Sequence, residues 1–209
     1  MRYTAGMADR LLVHDRTCRG RLVGLSTAWA TGSRLYRAAG RLDDAIGVAS
    51  WSEAFAWLEA HDQPIAELQF WGHGTWGVAR VDREPLDAGA LTPGHPLHRG
   101  LEALRARLAP DALVWFRTCQ TFGAGAGHDL AARLADWLGV RVAGHTHVIG
   151  FHQSGLHGLR PGASPQWSPL EGLAEGTPDT PLRALGSRPW APHTITCLQS
   201  SIPPAWFDS

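Results

Sequence analysis

The 209-residue sequence predicts an α/β fold with a largely parallel sheet. Three observations carry this reading. Runs of strand character alternate with runs of helix period along the chain. Two of the strand-like runs, Ile65 to Trp71 and Ala112 to Cys119, are apolar enough to be buried, central strands. Each of those runs is followed by a glycine-containing turn, after which the pattern changes to a hairpin or a helix. At about 150 residues per domain, the length leaves little room for two full cores. Residues 1–209 are therefore expected to form a single domain, with a core over about 21–150 and a loop-rich part over 151–209.

Taken in order, Arg21 to Ser26 reads as the first strand, with Leu11 to His14 as a strand-like stretch before it. Thr27 to Ala39 reads as a weak helix interrupted by Gly32, and Ala45 to Ala49 as a short strand. Ser50-Trp51-Ser52-Glu53 has the form of a capping box, so a helix should run from there to about Ala60. The strand Ile65 to Trp71 stops at Gly72-His73-Gly74, and the alternation over Trp76 to Asp87 predicts a small hairpin. Leu97, Leu101, Leu104 and Leu108 form a helical stripe that Pro110 should end. After the strand Ala112 to Cys119, the glycine-rich segment Gly123 to Gly127 leads into a helix with Leu130, Leu134, Trp137 and Leu138 on one face, stopped by Gly139. Val140 to Val148 reads as a further strand, and Thr194 to Leu198 as the last.

Composition narrows the function. Apolar residues make up 44% and charged residues 18%, with 19 basic against 19 acidic side chains, which argues against a disordered tail or a nucleic-acid surface. No apolar run approaches the ~20 residues of a membrane span, and the start, MRYTAGMADRLLVHDR, lacks a signal-peptide pattern, so a cytoplasmic protein is expected. Every basic residue is Arg, and the chain has no Lys and no Asn. A Schiff base or a P-loop lysine is thereby excluded, and no cofactor is expected. Cys18, Cys119 and Cys197 are too few and too scattered for a disulfide framework. The ten Trp can serve as core packing or as the walls of an aromatic groove.

In parallel α/β sheets, ligands bind beyond the carboxyl ends of the strands. Two such ends carry reactive groups, His73 and Cys119, and the stretch between them suffices for one hairpin and one crossover helix. Their strands can be neighbours, with an imidazole facing a thiol across one cleft. A nearby imidazole or the amino end of the following helix would favour the thiolate of Cys119, and Gly74 leaves an amide open for an oxyanion. Cys18 and Cys197 lack a comparable setting and are expected to be inert.

The stretches FWGHGTWG, LVWFRTCQTFGAGAGHDLAARLADWLG and VRVAGHT, with QWSPLEG after them, resemble in order and spacing the caspase-like superfamily of cysteine peptidases, including bacterial caspase-like and CHAT-related domains. The likeness spans roughly Ile65 to Gly172, about half of the chain. It implies a three-layer α/β/α sandwich with a mostly parallel caspase-like sheet. It also implies His73 as base or proton donor, Cys119 as nucleophile, and the amides of Gly74 and Cys119 as oxyanion hole. The partner would be a protein or peptide substrate, in an enzyme of cysteine-peptidase type. Thr118-Cys119-Gln120-Thr121 stands where caspases have Gln-Ala-Cys-x-Gly, which departs from aspartate specificity.

Around this dyad, Arg117 shares the Cys119 side of its strand and is positioned either to bind an acidic substrate group or to pair with an Asp or Glu. Gln120, Trp76, His145 and His147 are further candidates for substrate contact, the two histidines as a wall beside Cys119. His145 and His147, with His152 or His157, also spell a possible metal site, which makes a metal-dependent hydrolase one alternative. A catalytically silent binding module of the same fold is another.

Overall fold

The computed structural model describes residues 8–18 and 24–207. In chain order its strands are β1 (Asp9–Asp15), β2 (Asp44–Val48), β3 (Ile65–Trp71), β4 (His73–Thr75), β5 (Val78–Val81), β6 (Glu84–Leu86), β7 (Leu108–Arg117), β8 (Arg141–His145), β9 (His152–Gln153), β10 (Leu156–Leu159), β11 (Leu173–Gly176), β12 (Pro181–Ala184) and β13 (Ile195–Thr196). Among the described residues the α-helices are α1 (Leu25–Ala38), α2 (Trp51–Glu59), α3 (His98–Arg107) and α4 (Ala124–Leu138). The molecule is mixed α/β, and its main sheet has six strands in the order β2-β1-β3-β7-β8-β10. All neighbours in it are parallel except the edge strand β10, which runs antiparallel to β8. No helix among the described residues is long and apolar enough to cross a membrane.

Alternation along the central strands sends successive side chains to opposite faces. Leu11, Val13, Leu68, Phe70, Val114 and Phe116 join one core cluster with the apolar stripes of α2, α3 and α4. Leu12 and Trp71 pack instead with Tyr36 of α1, and Leu113 and Trp115 with Ile195, Ile202 and Phe207 from the end of the chain. The α1 side of the sheet is thus completed by segments from both ends of the sequence.

Several elements lie where the sequence puts them. β3 matches Ile65 to Trp71. Ser50 caps α2 by accepting a hydrogen bond from the Glu53 amide at 3.1 Å, while the Glu53 carboxylate reaches back to the Ala49 amide at 2.8 Å, one residue before the usual target. Gly139 ends α4 in the left-handed conformation at φ 70°.

Other elements differ. The first strand of the sheet is β1, not Arg21 to Ser26; Leu25 and Ser26 open α1, and residues 21–23 lie outside the described residues. The core therefore begins at Asp9, ahead of the expected boundary, and β10 carries the main sheet past residue 150. Gly32 does not interrupt α1. It lies against Trp71, where a Cβ would stand 2.7 Å from the indole, so the helix sits close to the sheet because that side chain is missing. Leu108 and Pro110 belong to β7, where the pairing with β3 shifts register between Ile65 and Glu67; the proline falls in that irregularity, with no ladder bond to donate. The hairpin after β3 is a three-stranded sheet, because His73 to Thr75 adds β4 to β5 and β6. β8 stops at His145, short of His147, and the last strand is only Ile195–Thr196.

The turn after β7 is held by Phe122. Its ring is fully buried, stacks at 5° on Trp167 with centroids 6.1 Å apart, and lies so close to Gly144 that a Cβ there would come within 2.7 Å. Removing this ring by Phe122→Ala should cost about 3–5 kcal/mol. Urea denaturation monitored by circular dichroism will show the loss as a lower midpoint.

Candidate functional site

The order β1-β3-β7 puts the carboxyl end of β3 between two neighbours that each lead to a cysteine. Past β1, the buried Asp15 carboxylate accepts from the amide and hydroxyl of Thr17, both at 2.7 Å, and from the Asp82 amide at 3.1 Å. That clamp fixes the turn on which Cys18 sits, and the Cys18 carbonyl accepts from the Ser26 amide at the start of α1. Past β3, His73 opens β4. Its Nε2 lies 3.1 Å from the Cys18 sulfur, and its ring meets Trp29 of α1 edge-on, with centroids 5.6 Å apart. The thiol that hydrogen-bonds the imidazole is therefore Cys18, which the sequence reading left as inert, and not Cys119.

Cys119 follows β7 by two residues and stands with His73 on the wall of one cavity of about 660 Å³. Gly74 explains how the two loops meet. A Cβ on Gly74 would stand 2.7 Å from the Cys119 carbonyl oxygen and 2.9 Å from the Thr118 Cβ, so only glycine lets β4 lie flush on the Cys119 turn. The turn itself is pinned from below. The Gln120 and Phe122 amides donate to the His147 and His145 carbonyls at 2.9 and 3.0 Å, and the Gly77 amide reaches the Thr121 carbonyl at 3.0 Å. Gln120 is held in the left-handed region at φ 38°.

In this state neither expected activator acts on Cys119. Burial pushes its thiol above the ordinary value, and the sulfur rests 4.0 Å from the Ile149 carbonyl. The first turn of α4 is tied elsewhere, with the Gly125 amide donating to the Pro178 carbonyl at 3.1 Å and the Gly127 amide to the Gly123 carbonyl at 3.1 Å. Cys119 is thus a neutral thiol that must lose its proton during any reaction.

Arg117 is buried on the cavity floor and forms no ion pair with a carboxylate among the described residues, so the pairing alternative read from sequence is not found. Its Nε and one terminal nitrogen grip the Gln153 side-chain oxygen at 3.0 and 2.6 Å, and the other nitrogen donates to the Tyr36 hydroxyl at 2.8 Å and the Gln199 carbonyl at 3.1 Å. The last N–H faces the Cys197 carbonyl at 3.3 Å. The guanidinium also lies over the rings of Trp115 and Trp71, 4.5 and 5.2 Å from their centroids. Burial lowers its pKa, yet a guanidinium stays protonated.

Gln120, Trp76, His145 and His147 do not line this cavity. The two histidines belong to a buried network behind the Cys119 turn. His145 is fully buried with Nδ1 facing the Ser154 carbonyl at 3.2 Å, and its Nε2 finds no hydrogen-bond partner among the described residues. His147 Nδ1 contacts the Thr146 hydroxyl at 2.9 Å; that hydroxyl donates to Glu171, which also holds His157 Nε2 at 2.8 Å. Among the described residues no group of three or more His, Cys, Asp or Glu is arranged to hold a metal ion, so the geometry does not support the metal-site alternative. Burial pushes the Glu171 carboxyl up, but the bonds from His157 and Thr146 outweigh it and leave the pKa below its ordinary value. The sequence reading missed α1 as a cavity wall. It also missed the loop of Ile149 and Phe151, and Cys197 and Leu198 just past β13, on the same wall.

Burial pushes the His145 pKa down to about 3 from 6.5. In the unfolded chain this imidazole takes a proton near pH 6.5, whereas in the fold it takes none until about pH 3. Between those values the unfolded state binds more protons, so the contribution is complete above about pH 6.5 and is lost as pH falls, at up to about 1.4 kcal/mol per pH unit. Burial shifts His128, His147 and His193 in the same direction. Urea denaturation at pH 7.5, 6, 5 and 4 should show stability declining with pH, with a shallower slope for His145→Leu. At the strained position, Gln120→Gly should stabilise by about 1 kcal/mol, read as a melting temperature raised by about 2–4 °C. No family model, no curated protein and no solved structure matches this chain.

Proposed function

We propose that this protein is a cysteine-dependent hydrolase of the caspase-like type that cleaves a peptide or protein, with His73 and Cys119 as its dyad on a three-layer α/β/α sandwich. One observation carries the reading: an exposed imidazole and a half-buried thiol, borne on the ends of the adjacent strands β3 and β7, open into the same cavity. In the reaction, the imidazole leaves Cys18 and takes the Cys119 proton as the sulfur attacks the carbonyl carbon. The amides of Gly74 and Cys119 receive the developing oxyanion. Collapse breaks the C–N bond, the imidazolium returns the proton to the leaving amine, and water then hydrolyses the thioester with His73 again as base. The balanced charge supports a peptide over a nucleic acid as partner, and three free cysteines support the reducing setting of the cytoplasm.

The 3.1 Å contact of Cys18 with His73 favours a second reading, in which Cys18 is the nucleophile. Labelling by an electrophilic peptide probe, together with cleavage of a peptide library, separates the two. Cys119→Ala should abolish labelling and lower kcat/KM by about 10³-fold or more, and His73→Ala should cost about 10²–10⁴-fold. Cys18→Ala should keep the label and raise the rate by freeing the imidazole. Labelling lost in Cys18→Ala and kept in Cys119→Ala transfers the role to Cys18. A wild-type protein that neither labels nor cleaves is a binding module.

A further inference from the structure

The cavity beside Cys119 has walls of a distinct chemistry. α1 and the sheet supply Trp29, Leu35 and Trp71, and the opposite side supplies Ile149, Phe151 and Leu198. Leu35, Phe151 and Leu198 are each more than half exposed, as large apolar side chains around one opening. Single exposed leucines are ordinary, whereas several ringing one mouth mark a binding surface. At about 660 Å³ the space is of the size that takes a bulky side chain with part of the chain that carries it.

The floor sets the charge rule. Arg117 is the one Arg, Lys, Asp or Glu among the described lining residues. All five of its N–H groups already meet neutral oxygens, from Gln153, Tyr36, Cys197 and Gln199. With no donor left over, it cannot grip a carboxylate in the bidentate manner. No carboxylate among the described residues lies within ion-pairing distance of it, and the half-buried Glu67 acts on it electrostatically from farther off, so its positive charge still disfavours a second cation brought into the cavity.

Building on the thiol chemistry proposed above, we infer that this cavity is a specificity pocket for a bulky, uncharged apolar side chain of a peptide substrate. Aromatic and long aliphatic residues next to the cleaved bond enter it, and lysine and arginine are rejected.

The test uses Cys119→Ala full-length protein, so that binding is read without turnover, titrated with acetyl-Ala-Ala-Xaa amides in which Xaa is Phe, Leu, Asp or Lys. Intrinsic Trp fluorescence from Trp29 and Trp71 or calorimetry gives Kd. The Phe and Leu peptides should bind at least tenfold tighter than the Lys and Asp peptides. Ala28→Trp, on the exposed cavity side of α1, should weaken Phe binding at least tenfold with an unchanged melting temperature. An Asp or Lys peptide that binds as tightly as Phe, absence of binding for all four up to millimolar concentration, or an Ala28→Trp protein that binds Phe normally overturns the inference. The two proposals fail separately. Apolar binding without cleavage by wild type removes the hydrolase and keeps the pocket, whereas cleavage after Lys or Asp in preference to Phe and Leu keeps the hydrolase and removes the pocket.

Discussion

A protonated guanidinium placed inside a protein with no carboxylate in direct contact costs several kcal/mol, and the half of this molecule that holds the cavity is organised around meeting that cost. Arg117 draws the Tyr36 hydroxyl from α1, the Gln153 side chain from β9 and the carbonyls of Cys197 and Gln199 from the end of the chain onto one point of the sheet. Bonds to a charged group contribute about 1.5–3 kcal/mol each, and the faces of Trp71 and Trp115 add to them. Segments 36 to 82 residues away from Arg117 in sequence converge on one side chain with five donors to satisfy. The cavity is the space left between them.

The same architecture explains why an imidazole and two thiols gather on one rim of the sheet. β3 is flanked by β1 and β7, all parallel, so the chain leaves all three strands on the same rim of the sheet. Whatever follows the three strands must share that rim, and here Cys18, His73 and Cys119 follow them. The Asp15 clamp holds Cys18 against His73, while the missing side chain of Gly74 lets the His73 loop settle on the Cys119 carbonyl. His73 is exposed, and an exposed side chain exchanges rotamers within nanoseconds. In the proposed chemistry, movement from one sulfur to the other separates a resting state from a reacting one.

Local patterns were legible where a residue's own neighbours decide its state. The apolar run of β3, the Ser50 cap and the Gly139 stop depend on a few adjacent residues, and each is found in place. β1 was underrated because its apolar run is short and bounded by charged residues. Its burial comes from β2 and β3 on either side, which a local reading does not contain. That shortfall hid the contact of Cys18 with His73, since only the pairing of β1 beside β3 brings the residues after the two strands together on one rim. The histidine run misled for a related reason. His145 and His147 are two apart, but β8 ends at the first of them, so the shared face of a strand does not extend to both.

The sequence by itself determined the α/β alternation, the two central strands and the placing of a histidine just past the end of one and a cysteine just past the end of the other, because hydrophobic period and glycine punctuation are properties of consecutive residues. Tertiary structure alone decided which thiol touches the imidazole, that the arginine two residues before Cys119 is satisfied by neutral oxygens, and that an exposed helix near the start of the described residues meets Cys197 and Leu198 across one cavity. Those outcomes depend on strand order and on contacts between distant segments, and neither is written in the spacing of neighbouring residues.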